Sequence, residues 1–384
     1  MQFVCPRCSA TVPLEELTTL GEELCGHCGG ALEFSPGRVN RWADATVELP
    51  GVARYARLLP VTQPERLASS EEALVPLESR ALAERLGVAR LFLIPQTKNA
   101  TGTFKDNEGV IVAARCHDIG VSSVCMHSSG NTARAYIHAM GRAGIACATF
   151  VPTASAYKVA RQDGKYRASL TAVDGGMQQA ADASARFAGE TGALRLTPSH
   201  WKIEGKVPLG LMVAERLNFI DTLAITIASG YGPLGIERGL RRAEASGLPT
   251  LSDRSYLMFQ VSDAAATARA VLDGAEQVDL SRNVHPDEAF EPTLQSTNPT
   301  RTFEQVKGLL QVGNSSLNIV TPDEIEACAL LLLTECRNLG VPLDYELEKS
   351  AFVAWAGLCS LADRDALDPN RQVALVISGS APWE

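Results

Sequence analysis

The segment Leu91-Phe-Leu-Ile-Pro-Gln-Thr-Lys-Asn-Ala-Thr-Gly-Thr-Phe-Lys105 joins a short apolar, β-prone run to a polar loop that ends in a lysine. The apolar residues 110–114 follow and predict a helix. Backbone N–H groups at the start of such a helix can hold an anion. A partly desolvated Lys105 would have the neutral amine that covalent catalysis needs, although a solvated lysine in a surface loop explains the same residues.

Similar apolar runs recur along the chain and alternate with helix-like stretches. The predicted strands are residues 91–94, 121–126, 145–151, 223–228, 256–261 and 373–377. The predicted helices lie around 84–86 and at 132–140, 178–187 and 324–339. This alternation predicts an α/β fold of open, mostly parallel sheets flanked by helices, in which ligands bind at loops beyond the carboxyl ends of strands.

A second polar loop, His127-Ser-Ser-Gly-Asn-Thr132, follows the predicted strand 121–126. Its serine, asparagine and threonine side chains can cap the next helix, and Gly130 lets the backbone approach a ligand closely. The loop suits a carboxylate or a ring hydroxyl. Capping alone would explain one or two of these polar residues.

A third loop, Ser229-Gly-Tyr-Gly-Pro-Leu-Gly235, follows the predicted strand 223–228 and matches the pattern G-x-G-x-x-G. Its glycines indicate that a phosphate could rest on helix-end amides, whatever molecule carries that phosphate. Asp263 follows the next strand, so a nicotinamide-dependent dehydrogenase that binds ribose through Asp263 is one alternative. That alternative leaves Lys105 and its motif without a role.

The ten cysteines fall into two groups. Cys5, Cys8, Cys25 and Cys28 form two C-x2-C pairs, a spacing typical of a closed, structural Zn²⁺ site with four thiolate ligands. A ribbon that binds no metal is the alternative. The remaining cysteines are scattered among apolar residues, which favours buried free thiols. They are Cys116, Cys125, Cys147, Cys328, Cys336 and Cys359.

Composition and charge limit the class of protein further. The 384 residues include 35 basic and 44 acidic side chains, so the formal net charge is −9, which disfavours nucleic acid as a partner. No apolar run reaches the roughly 20 residues that span a bilayer, and no secretion signal precedes the first cysteines. We expect a cytoplasmic protein with no membrane partner.

The three loops, taken in order, resemble the motifs of fold-type II pyridoxal-phosphate enzymes. Residues 98–106 resemble the N-P-T-G-S-F-K-D lysine motif, residues 128–131 the loop for the substrate carboxylate, and residues 230–235 the phosphate cup, while Ser378-Gly resembles the hydroxyl that meets the pyridine nitrogen. The cysteine ribbon and the segments 54–60, 75–77 and 202–205 resemble threonine synthase. The resemblance covers essentially the whole chain.

The resemblance implies a fold and a set of domains. The fold would be similar to the tryptophan synthase β chain, with two open, mostly parallel sheets and an N-terminal zinc ribbon. Residues 1–40 would form the ribbon, 41–110 and 195–384 the large cofactor-binding domain, and 111–194 a small domain that closes over the substrate. A homodimer is implied as well.

The resemblance also implies site residues. Lys105 would bind pyridoxal 5'-phosphate covalently and move protons at the substrate, and Ser378 would contact the pyridine nitrogen. Asn131 would bind the ring hydroxyl, and a glycine cup would hold the cofactor phosphate. The cup comprises Gly230, Tyr231, Gly232 and Gly235. The expected substrate-binding residues are Ser128, Ser129, Thr132, Thr197 and Lys202.

The implied reaction is elimination or replacement on a phosphorylated amino acid, as threonine synthase converts O-phospho-L-homoserine and water into L-threonine and phosphate. The chain departs from that family where an Asn-Ser and an arginine clamp the substrate phosphate, because Leu196, Thr197 and Lys202 stand there instead. A relative similar to cysteate synthase, which combines O-phospho-L-serine with sulfite, is therefore an alternative. A basic pocket with Lys158, Lys165 or Lys202 would serve either anionic substrate, and a non-catalytic regulator with the same fold is a third hypothesis.

Overall fold

The computed structural model describes the chain except residues 21–23, 38, 68, 160–165, 251–252, 286–287, 297 and 380–384. The strands are β1 (Gln2–Val4), β2 (Thr11–Pro13), β3 (Glu33–Ser35), β4 (Leu77–Glu78), β5 (Arg90–Pro95), β6 (Ser123–His127), β7 (Ala146–Pro152), β8 (Ala168–Val173), β9 (Leu194–Leu196), β10 (Thr222–Thr226), β11 (Ser255–Val261), β12 (Ser316–Val320) and β13 (Gln372–Ile377).

The α-helices are α1 (Trp42–Ala45), α2 (Arg80–Leu86), α3 (Lys105–Asp118), α4 (Asn131–Arg142), α5 (Met177–Thr191), α6 (Trp201–Glu204), α7 (Val207–Arg216), α8 (Tyr231–Ala245), α9 (Ala266–Leu272), α10 (Thr300–Leu309), α11 (Pro322–Asn338) and α12 (Ser350–Asp363).

The chain divides into two compact units. The first comprises residues 1–71, 105–215 and 235–249, and the second comprises residues 72–104, 216–234 and 250–384. Each unit contains a mostly or wholly parallel sheet with helices, as the alternation of strands and helices predicts. The expected boundaries of the large and small domains at residues 41, 111 and 195 stay a prediction.

The second unit is built on a six-stranded sheet with the order β12-β11-β10-β13-β5-β4, in which only the short edge strand β4 is antiparallel. Strands buried on both faces are mostly apolar, and every residue of β11 is buried. The helix α12 packs on this sheet, with Trp355 fully buried and its indole N–H donating to the carbonyl of Cys328 at 3.0 Å.

The contact between α12 and the sheet is close because of one glycine. A Cβ atom on Gly357 would lie 2.0 Å from Cδ1 of Phe259 on β11. Any side chain at position 357 would therefore push α12 off the sheet. The core of this unit forms around that contact.

The first unit contains a four-stranded parallel sheet with the order β8-β7-β6-β9. The helix α5 packs on it around the buried residues Cys125, Phe150 and Ala180. Helices α3 and α4 pack against each other at Gly109, where a Cβ atom would lie 2.9 Å from the carbonyl oxygen of Ala135. The helix that carries Lys105 is thus fixed against the helix that begins at Asn131.

The N-terminal cysteine segment also belongs to the first unit. Strands β2-β1-β3 form a small antiparallel sheet, in which Phe3 and Phe34 are buried edge to face at 5.6 Å between ring centres. The proline and glycine at positions 36 and 37 predict a turn-rich linker from residue 34, but Phe34 and Ser35 lie within β3. The linker begins later because Phe34 gains more by packing on Phe3 than by exposure in a turn.

Taken together, these sheets and helices confirm the expected α/β fold with an N-terminal ribbon. Within the described part of the chain, no helix has both the length and the apolar composition to cross a bilayer.

Candidate active site

Lys105 is the first residue of α3 and is half-buried. The preceding loop is fixed to the end of β13: the amide of Phe104 donates to the carbonyl of Ser378 at 2.9 Å, and the hydroxyl of Thr103 donates to the same oxygen at 3.2 Å. The side chain of Ser378 is buried, with 5% of the residue exposed. The residue before the candidate catalytic lysine is therefore hydrogen-bonded to the predicted partner of the pyridine nitrogen.

The loop between β6 and α4 is held by its own serine. The hydroxyl of Ser128 accepts from the amides of Gly130 and Ala133, both at 3.1 Å, and so caps the start of α4. Gly130 has a φ of 121°, which favours glycine. The capping alternative is thus correct for Ser128. Of the other residues predicted here, Asn131 and Thr132 are buried and Ser129 is half-buried.

A buried lysine packs on the same loop. A Cβ atom on Gly130 would lie 3.0 Å from Cβ of Lys158, whose residue is only 5% exposed. The structure therefore brings one of the predicted basic residues to the predicted carboxylate loop. Lys165 lies outside the described residues.

The glycine loop between β10 and α8 has the geometry of an anion cradle. Gly230 has a φ of 82°, and a Cβ atom there would lie 2.5 Å from Cγ2 of Val306, so only glycine fits. Gly232 is nearly as tight, since its Cβ atom would lie 3.0 Å from Cδ1 of Ile225. The helix α8 starts at Tyr231, and its first backbone N–H groups are the donors that bind phosphate at helix N-termini.

The third glycine of the pattern has a packing role in the first unit. A Cβ atom on Gly235 would lie 2.4 Å from Cβ of Lys206 and 2.5 Å from the carbonyl oxygen of Ile203. Gly235 therefore permits the close approach of α8 to the segment between α6 and α7. Its predicted contact with a phosphate stays a prediction.

Lys202, the residue in place of the family arginine, lies on α6 beside a buried carboxylate. Its Nζ atom is 3.3 Å from Oε1 of Glu108, and Lys206 contacts the other oxygen of the same carboxylate. The hydroxyl of Tyr136 donates to Oε1 of Glu108 at 2.8 Å. Glu108 follows Lys105 by three positions on α3, which places the two side chains on neighbouring parts of one helix face.

The charges of this cluster fix the ionisation of Glu108. Burial by itself would raise the pKa of the carboxyl, but the charges of Lys202 and Lys206 outweigh it and lower the pKa to about 2. Burial lowers the pKa of Lys206, and the charge of Glu108 opposes that change. Glu108 is therefore a carboxylate at neutral pH.

Strands β6 and β9 are parallel neighbours, with Met126 paired to Leu196. The loop of Ser128 and the segment that begins at Thr197 therefore follow the same edge of the sheet. Thr197 is half-buried there. Burial of His127, with the positive charges of Arg195 and Lys202, lowers the pKa of His127 to about 4. Lys202 thus acts electrostatically at the start of the predicted substrate loop.

The four N-terminal cysteines converge as their spacing predicts. Their sulfur atoms all lie within 4.8 Å of one another, with Cys5 and Cys28 at 3.4 Å and Cys8 and Cys25 at 3.5 Å. A tetrahedral zinc ion with Zn–S bonds of about 2.3 Å separates its sulfurs by about 3.8 Å. The donor set and the spacing fit Zn²⁺, so this cluster is a candidate metal site. None of the four cysteines is in a disulfide.

The ribbon is fixed to the rest of the first unit by buried arginines. Arg242 donates to the carbonyls of Phe34 at 2.9 Å and Leu58 at 3.1 Å and is paired with the buried carboxylate of Glu204 at 2.7 Å. Arg115 on α3 donates to the carbonyl of Leu14 at 2.6 Å. The ribbon therefore supports the helix that begins at Lys105.

Sequence reasoning missed Glu108, Lys206 and Tyr136. Their charges and hydroxyl occur in stretches that also suit an exposed helix face, and nothing in the spacing joins Glu108 to residues nearly a hundred positions later. It also left Asp263 as a candidate ribose ligand. The carboxylate of Asp263 instead accepts from the amide of Phe290, which gives this aspartate a role within the fold.

These features agree with the match of residues 69–379 to the family model of pyridoxal-phosphate dependent enzymes. The chain belongs to that family, and its cofactor is pyridoxal phosphate. The lysine at a helix start, the buried hydroxyl at a strand end and the glycine cradle are donors that fit this cofactor.

Two curated relatives indicate the kind of reaction within this family. The chain is similar to a threonine synthase of Methanosarcina acetivorans, with 24% identity over 98% of this chain and 90% of the relative. It is similar to a threonine synthase of Methanocaldococcus jannaschii with 23% identity, over 98% and 91% of the two chains. These relatives support elimination or replacement chemistry that depends on pyridoxal phosphate.

Solved structures agree on the fold. The chain is similar to maize serine racemase, with a TM-score of 0.61 and 20% identity over 79% of this chain and 88% of that one. It is also similar to an L-serine ammonia-lyase from Rhizomucor miehei, with a TM-score of 0.64 and 16% identity over 80% and 94%.

Proposed function

We propose that this enzyme expels phosphate from a phosphorylated amino acid, converting O-phospho-L-homoserine and water into L-threonine and phosphate. Lys105 is the catalytic residue, and Ser128, Ser129, Thr132, Thr197 and Lys202 line the substrate pocket. The two curated relatives, both threonine synthases, support this assignment.

The observation that carries the proposal is the place of Lys202. Its ammonium group contacts Glu108, three residues after Lys105, and its charge acts on His127, next to Ser128. A cation at that position can bind the anionic end of a substrate whose amino-acid end lies near Lys105. Since the two ammonium groups of Lys202 and Lys206 face the single carboxylate of Glu108, one positive charge of this cluster is not balanced within it and favours an anionic substrate.

The residues have separate tasks in the proposed reaction. Bound pyridoxal phosphate supplies an electron sink for negative charge that develops on the substrate. The amine of Lys105 moves protons at the substrate carbon atoms. The side chain of Asn131 orients the cofactor by a hydrogen bond to the hydroxyl group of the cofactor ring. The neutral hydroxyl of Ser378 accepts or donates at the ring nitrogen without a formal charge, which favours elimination and replacement. Lys202 binds the leaving phosphate.

The test measures phosphate release by the purified holoenzyme from O-phospho-L-homoserine alone and from O-phospho-L-serine with and without sulfite. Release from the first substrate with formation of threonine supports the proposal. Release only with O-phospho-L-serine and sulfite would assign the enzyme to the chemistry of cysteate synthase instead. Lys105→Ala is the control for catalysis by the cofactor.

A protein that binds the cofactor but changes neither substrate, and whose absorbance spectrum is unaffected by both, would be a regulator rather than an enzyme. The proposal includes a homodimer in the cytoplasm with zinc in the ribbon. Sedimentation velocity and metal analysis of the purified protein test the first and last of these points.

A further inference from the structure

One buried carboxylate in the first unit faces two ammonium groups. Glu108 is 1% exposed and contacts Lys202 through Oε1 and Lys206 through Oε2. Tyr136 adds a neutral hydrogen bond. The cluster of Glu108, Lys202, Lys206 and Tyr136 therefore carries one more positive than negative charge.

The two lysines differ in exposure and in contact. Lys206 is buried, with 3% of its side chain exposed, and makes the shorter contact with the carboxylate. Lys202 lies at 3.3 Å and keeps 20% of its side chain exposed. Lys206 is thus the buried counter-ion of Glu108, whereas Lys202 is the partly exposed lysine of the cluster and the one that a second anion can approach.

A carboxylate beside Lys202 must weaken the binding of any second anion there. It competes for the same N–H donors, and its charge repels the incoming group across a short distance in a partly desolvated site, where Coulomb interactions are strong. A phosphate dianion feels this repulsion about twice as strongly as a monoanion does. Glu108 is positioned to set how tightly Lys202 holds phosphate.

We propose that Glu108 is a specificity-determining residue that competes with the anionic group of the substrate for Lys202, while Lys206 limits that competition by holding the carboxylate. This inference rests on the proposed function, since it takes the anionic group to be the leaving phosphate. The consequence is a site that binds phosphate through Lys202 and also releases it after the reaction.

Two variants should change the affinity for phosphate in opposite directions. Glu108→Gln removes the competing charge, so inorganic phosphate should bind about fivefold more tightly or better. Lys206→Met leaves Glu108 with Lys202 as its remaining ammonium partner in the cluster, so phosphate should bind at least about fivefold more weakly. If Glu108 only held Lys202 in place, Glu108→Gln would weaken binding instead.

The measurement is calorimetric titration of the holoenzyme with inorganic phosphate at neutral pH and low ionic strength. The holoenzyme is needed because the phosphate of the cofactor then fills the predicted glycine cup. Glu190→Gln, which removes an exposed carboxylate from α5, is the matched control and should leave the affinity unchanged.

The double variant Glu108→Gln with Lys206→Met covers the case in which the single glutamine variant does not fold, because it removes both members of the buried pair. It should bind phosphate at least about fivefold more tightly than Lys206→Met alone. The inference is overturned if Glu108→Gln binds phosphate no more tightly than the wild type does and the double variant binds it no more tightly than Lys206→Met does. A wild-type holoenzyme that binds no phosphate overturns it as well.

The phosphate titration tests the role of Glu108, and turnover of the phosphorylated amino acids tests the proposed function, so the two can fail separately. Phosphate affinities in the expected order without turnover of either phosphorylated amino acid would support the role of Glu108 and reject the substrate. Turnover of O-phospho-L-homoserine without the expected order would do the reverse.

Discussion

The amide of Phe104 donates a 2.9 Å hydrogen bond to the carbonyl of Ser378, so the loop before Lys105 is fixed by the main chain at the end of β13. The hydroxyl of Thr103 shares the same acceptor. These two bonds use the carbonyl oxygen of Ser378 and do not involve its hydroxyl.

Ser378→Ala should therefore separate folding from cofactor chemistry. We expect the free energy of unfolding of the apoenzyme to change by less than about 1 kcal/mol, because the backbone bonds remain. Turnover of the holoenzyme should fall by about tenfold or more through loss of the ring contact. Urea unfolding and steady-state kinetics measure the two effects, and a large loss of stability with normal turnover would contradict the assignment.

Lys105→Ala should abolish turnover and remove the visible absorbance of the covalently bound cofactor. The expected loss in kcat is at least about a thousandfold, since the proposed function makes this residue both the attachment point of the cofactor and the proton carrier. Lys307→Ala, at a solvent-accessible lysine on α10, is the matched control. A variant that keeps a borohydride-sensitive yellow colour would show that another lysine holds the cofactor.

Removal of zinc should destabilise the first unit. The carbonyls of Leu14 and Phe34 are bound by Arg115 and Arg242, so a disordered ribbon leaves two buried guanidinium groups short of acceptors. We expect about one zinc ion per chain and a lower melting temperature after chelation or in Cys5→Ser. Cys328→Ser should keep the metal, and an unchanged zinc content in Cys5→Ser would reject the site.

Gly357→Ala should destabilise the protein by about 1–3 kcal/mol, because its Cβ atom would meet Phe259. Gly189→Ala is the matched control in α5, where nothing lies within 4 Å of an added Cβ atom. The control should raise stability by about 0.5–1 kcal/mol. Equal effects in chemical unfolding would show that α12 does not pack as closely as described.

His127 should make the fold sensitive to acid. Burial, aided by Arg195 and Lys202, lowers its pKa from 6.5 to about 4, so the unfolded chain binds a proton in a pH range where the folded chain does not. The contribution of the neutral His127 to the free energy of unfolding is fully present above pH 6.5 and is lost as the pH falls toward about 4. After allowance for partial exposure the loss is about 2 kcal/mol. His127→Gln should reduce it, whereas the exposed His285→Gln should not.

The strands that the sequence predicts are those whose residues are mostly buried and mostly apolar. Strands β10 and β11 are of this kind, and the structure gives them at residues 222–226 and 255–261. Strand β9 was not predicted because it is three residues long and contains Arg195. Helix α12 was missed because its first ten residues are all buried, which removes the polar face that helical periodicity needs.

The candidate site also divides into residues that local sequence predicts and residues that it does not. Motif order predicts Lys105, the Ser128 loop and the glycine loop, because each is a local turn between a strand and a helix. The cluster around Glu108 depends on contacts between residues far apart in sequence, and the local pattern contains no signal for them. Ser128 shows the limit of prediction within a motif, since the residue predicted to bind substrate uses its hydroxyl to cap α4.

The buried arginines beneath the cysteine ribbon have a consequence for how this enzyme could be shortened or recombined. Arg242 reaches Phe34 of the ribbon, Leu58 of the following segment and Glu204 of α6 at once, so the first 40 residues are not a detachable module. A chain that begins after them would keep the carboxylate of Glu204 but lose the carbonyl of Phe34, which accepts a hydrogen bond from Arg242. A ribbon-free version of this enzyme therefore requires compensating changes at positions 115 and 242.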